Sequence, residues 1–136
     1  MNNKNIGIIF HNSSYDQVYH GLSIALSTLA LGWEVKCLFT YWSLNYLKKD
    51  NKEQSGIETG TESHRHIIED KIKKGHIQEF SDVIAQAKPM GLCIYVCTNS
   101  MGLLNIARNE LVDEVDKATG LTTFLAETEG YRLLFI

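Results

Sequence analysis

A chain of 136 residues, 44% hydrophobic and 21% charged, is long enough to bury a core without disulfides or a structural metal and reads as one domain over 1–136. Its net charge of −3 shows no basic excess, which argues against nucleic acid or an anionic membrane as a partner. Three cysteines fit neither CxxC spacing nor a disulfide framework, nothing at the N-terminus resembles a signal peptide, and the longest apolar stretch, Leu22 to Trp33, is too short for a bilayer, all of which points to a reducing cytoplasm.

In chain order, Ile6 to Phe10 (IGIIF) is an unbroken apolar run that suits a strand covered on both faces. Ser14 and Gln17 form a capping-box pattern ahead of Tyr15, Val18, Leu22, Ala25, Leu26 and Leu29, which recur at helical spacing until Gly32. Trp33 to Phe39 is a second strand, and Tyr41 to Lys49 a short helix behind it. About residues 48–66 the chain turns polar with few apolar anchors, which predicts a mobile loop. Ile67 to Lys74 and Ile77 to Ala87 read as helices, the second ended by Pro89. Gly91 to Val96 (GLCIYV) is a third strand, followed by helices over Asn99 to Arg108 and Glu110 to Ala118. Leu121 to Phe124 reads as a short strand, Leu125 to Glu129 as a brief helix, and Tyr131 to Ile136 as the closing strand. Alternating strands and helices predict an α/β fold, a three-layer sandwich around a mainly parallel sheet of about five strands.

Ligands of such sheets bind beyond the carboxyl ends of the strands. His11 follows the first strand, Tyr41 and Trp42 the second, and Cys97 the third, where the chain switches into Thr98-Asn99-Ser100-Met101-Gly102. A thiol at the start of a helix meets unpaired amides and the positive end of the helix dipole, which favours the reactive thiolate. In a flavodoxin-like strand order the first and third strands are neighbours, which brings His11 beside Cys97. An inert, partly buried cysteine fits the same spacing equally well, and Cys37 and Cys93 read as core residues. No arginine follows Cys97 closely enough for a phosphatase loop, and no GxGxxG or GxxxxGK stretch is present. His64, His66 and His76 with Glu62, Glu69 and Asp70 lack compact ligand spacing, so neither a metal nor another cofactor is expected. Tyr41, Trp42 and Tyr46 either line a pocket or simply pack.

Phe39-Thr40-Tyr41-Trp42-Ser43-Leu44 resembles a stretch found after the second strand in the DsrE/DsrF-like sulfur-relay family, and Cys97-Thr98-Asn99-Ser100-Met101 is similar to the Cys-x-x-Ser-Met motif of one branch. The closing Leu133-Leu134-Phe135-Ile136 is similar to the family's last strand. Ser43 and Gly102 stand where glycine and an acidic residue are usual in that branch. The resemblance implies a DsrE-like fold, homo-oligomers (trimers or hexamers), and a cysteine, here Cys97, that carries sulfur as a persulfide with Ser100 and Met101 flanking it. It also implies a small sulfur-carrier protein as a partner. The expected function is a cytoplasmic sulfur carrier or sulfurtransferase, with Asn99, Ser100 and Met101 amides holding charge on the sulfur. The rival is a non-catalytic oligomeric module in which Cys97 is structural and the aromatic residues hold a small ligand. A redox sensor is a third reading, for which no resolving cysteine is evident nearby.

Overall fold

The computed structural model describes residues 4–50 and 62–136. Five parallel strands form one sheet: β1 (Asn5–Phe10), β2 (Glu34–Phe39), β3 (Cys93–Cys97), β4 (Lys117–Thr119) and β5 (Arg132–Phe135), in the order β4-β3-β2-β1-β5. The neighbours of β1 are therefore β2 and β5, and β2 separates β1 from β3, so the expected adjacency of the first and third strands does not occur. The chain steps outward from β1 to β4 and returns to the far side of β1 only with β5. That order depends on how the crossovers pack, which strand periodicity does not encode.

Alternation along each strand divides the sheet into two faces. Ile6, Ile8 and Phe10, with Val35, Cys37, Phe39, Ile94 and Val96, build the main core beneath α1 (Tyr15–Ala30) and α3 (Phe80–Ala87). Phe10 and Phe39 stack there at 4.6 Å. The opposite face carries a smaller cluster of Leu38, Tyr95 and Cys97 against Phe124 of α5 (Leu121–Glu127). Gly21 lets α1 sit close on β1, because a Cβ at that position would run into the Phe10 ring.

Several expected elements are placed differently. The Ser14–Gln17 capping box is not formed: Ser14 precedes α1, but its hydroxyl donates to the Asp16 carboxylate. The segment after β2 is a 3-10 helix, Tyr41–Leu47. Helix α2 (Glu62–Lys73) starts before the expected Ile67, with Arg65 paired to Glu69 one turn on at 2.9 Å while Ile68 and Ile72 turn to the core. Residues 51–61 of the expected polar loop lie outside the described residues.

Helix α4 (Thr98–Leu104) stops at Asn105, which takes a left-handed conformation (φ 54°). No helix spans Glu110 to Ala118, despite the helical spacing of Leu111, Val115 and Ala118. Leu111 bridges to Lys48, Val112 donates to the Leu47 carbonyl at 2.8 Å, and the Asp116 carboxylate accepts from the Ile94 amide and from Lys88, both at 2.7 Å. Tertiary pairing overrides the local pattern and feeds the chain into β4. The stretch Leu121 to Phe124, read as a strand, is the start of α5, and Phe124 is its buried anchor.

Candidate functional site

Phe10 ends β1, and its carbonyl fastens the loop that follows β2. It accepts from the Thr40 amide at 2.8 Å, the Thr40 hydroxyl at 2.7 Å and the Ser43 hydroxyl at 3.1 Å. Ser43 is fully buried and shares its one hydroxyl proton between the Phe10 carbonyl and the nearer Thr40 carbonyl at 2.7 Å, so the hydroxyl in the usual glycine position is structural. Tyr41, the next residue beyond this knot, has φ 48°. A left-handed backbone costs a side-chain-bearing residue about 1–2 kcal/mol. The buried Ser100 hydroxyl holds it there by accepting the Tyr41 amide at 2.8 Å.

Cys97 is the last residue of β3 and the N-cap of α4, so strand passes into helix without a linker. The first-turn amides of α4 have no partner within the helix. Cys97 is only 6% exposed. It opens onto a cavity of about 520 Å³ at the carboxyl ends of β1, β2 and β3. The walls come from all three strand ends, from α4 and α5, and from β5.

The cavity brings together His11, Tyr41, Asn99, Ser100 and Cys97, although β1 and β3 are not adjacent. His11 lies between two aromatic rings, Tyr41 at 4.7 Å and Phe135 at 5.6 Å. Two of the expected site residues lie off the wall. Trp42 packs edge-on to Tyr41 at 6.1 Å, and Met101 packs into the main core. Phe135, Leu103 and Leu121 also line the cavity. Phe135 reaches the wall because β5 pairs with β1 and places it opposite Ile9.

The other two thiols differ from Cys97. Cys37 is fully buried in the main core, which pushes its thiol well up. Cys93 shares a sheet face with Cys97 but is only half-buried rather than part of the core; burial, then the Asp116 charge, pushes its thiol up. Among the described residues, no group of three or more His, Cys, Asp and Glu side chains is gathered to hold a metal, and no helix is long and apolar enough to cross a membrane.

The DsrE/DsrF/DrsH-like family matches this sequence over residues 2–63 and 59–134, nearly its whole length. The chain belongs to that family. This DsrE-like chain is 25% identical to YrkE of Bacillus subtilis (strain 168) over 156 aligned positions, covering 98% of its own length and 97% of YrkE. Its fold is shared with the ychN protein of E. coli (TM-score 0.70, 10% identity, 97% and 98% of the two chains covered). It is shared also with MTH1491 of Methanobacterium thermoautotrophicum (TM-score 0.62, 12% identity, 97% and 98% covered).

Proposed function

We propose that this DsrE-like protein is a sulfur carrier that accepts sulfane sulfur on Cys97 and passes it to a partner thiol. The observation that carries the proposal is the cavity opening onto Cys97 at the strand-to-helix switch, and membership of the DsrE/DsrF/DrsH-like family supports it. The Cys97 thiolate attacks the outer sulfur of a hydropersulfide, the S–S bond breaks, and its electron pair leaves with the donor thiolate, which takes up the proton. Discharge repeats the exchange, with an acceptor thiolate attacking the outer sulfur and Cys97 as the leaving group. Asn99 stands at the mouth, and Ser100 supports the site through the Tyr41 amide.

The small exposure of Cys97 favours the rival reading, an inert thiol in a ligand-binding module. A load-and-discharge experiment separates them. Protein treated with a hydropersulfide and desalted should gain the mass of one sulfur atom and lose it to an added small thiol. Protein that gains no mass, while still binding small ligands, supports the module.

The proposal includes a homo-oligomer and a small sulfur-carrier protein as acceptor. Leu133 on the edge strand and Leu125 on α5 are exposed, apolar surface that self-association covers. Light scattering that reports only monomer at micromolar concentration contradicts the oligomer.

A further inference from the structure

Resting on the carrier reading above, we infer that the Cys97 cavity selects an uncharged sulfur donor with an apolar body and disfavours small sulfur oxyanions. Size is the first argument. A cavity of about 520 Å³ is far larger than one transferred sulfur atom needs and falls in the range of pockets that enclose small organic molecules. Its lining is the second. Ile9, Leu103, Leu121 and Phe135 form apolar walls, His11 and Tyr41 add ring faces, and among the described residues no lysine or arginine lines it.

Thr40 gives its hydroxyl proton to the Phe10 carbonyl, while the Ser100 oxygen accepts the Tyr41 amide and keeps its own proton to donate. A dianion such as thiosulfate entering this space meets no lysine or arginine, only His11, Asn99 and the first-turn amides of the short α4, and approaches a thiolate of its own sign. An alkyl or aryl hydropersulfide leaves its body on the apolar walls and sets only its outer sulfur against Cys97. The exchange balances without an oxidant: Cys97–SH and R–SSH give Cys97–SSH and R–SH.

Benzyl hydropersulfide and glutathione hydropersulfide carry the same reactive group on an apolar and a charged body, and thiosulfate is the oxyanion. Loading rates on the wild-type protein are read by intact mass and normalised to the rates of the same donors with a free small thiol. Benzyl hydropersulfide should lead both others by about tenfold or more. Leu121→Arg, at the exposed start of α5, should narrow that lead by adding a cation to the wall. An equal or reversed order overturns the inference.

A sulfur-free arm keeps the two claims apart. Benzyl alcohol should shift the NMR signals of His11, Asn99 and Leu121, and sulfate should leave them in place. If benzyl alcohol binds but no donor loads Cys97, the carrier reading fails and the selectivity stands. If sulfate shifts these signals, or neither probe does, the selectivity is overturned even when Cys97 loads.

Discussion

Single side chains at this site have separable roles, and Ser100 shows it best. Its hydroxyl accepts the Tyr41 amide and offsets the left-handed backbone of Tyr41. Ser100→Ala leaves that donor without its partner, which costs about 1–3 kcal/mol. The expected result is a lower urea midpoint with an unchanged m-value, together with shifted Tyr41 signals; an unchanged midpoint would show that the bond contributes nothing. The place of Cys97 at the strand-to-helix switch was legible because the apolar run of the third strand stops there. The job of Ser100 was not, since its partner lies 59 residues away. Phe135 was missed as a wall residue for the same reason: it reaches the site through a strand pairing, not through proximity in the chain.

Elements pack here through a few close approaches, and α1 on β1 is one of them. Alanine for glycine inside a helix normally gains about 1 kcal/mol. At Gly21 the added methyl meets the Phe10 ring, which is stacked on Phe39 and cannot move aside. Overpacking of this kind costs about 1–3 kcal/mol, so Gly21→Ala should lower the melting temperature, whereas a rise would show that the helix simply shifts. On the other face, Lys117 joins the short β4 to α5 through Glu127 at 2.6 Å. The hydrogen bond from Lys117 holds the Glu127 carboxyl below its ordinary 4.5. A depressed carboxyl stabilises the fold above its ordinary value and loses that contribution as pH falls through the folded value. The melting-temperature difference between wild type and Lys117→Met should therefore shrink as pH drops below about 4.5; a difference that is constant through that range contradicts the pairing. β4 was not legible, and of α5 only its second half was, Leu125 to Glu127 falling within the expected helix. Local spacing over Leu111 to Ala118 favours a helix and Thr122-Thr123 favours a strand, and long-range partners reverse both.

At the scale of the whole molecule, the sheet order gathers residues from both ends of the chain at one edge. The α/β class was readable from alternating apolar runs, and so was the site's place at the carboxyl ends of the strands. The order β4-β3-β2-β1-β5 was not, yet the cavity spans β2 and still joins His11 to Cys97. Reactivity should then follow access and environment. Cys37 is enclosed by the core, and Cys93, on the same sheet face as Cys97, stands beside the Asp116 charge and outside the cavity. The most direct test loads wild type, Cys37→Ser, Cys93→Ser and Cys97→Ser with benzyl hydropersulfide, reads intact mass, and maps the added sulfur by peptide digestion. The carrier account predicts one added sulfur atom in the first three proteins, on the Cys97 peptide, and none in a folded Cys97→Ser variant. Sulfur on Cys93, or undiminished loading of Cys97→Ser, would contradict it.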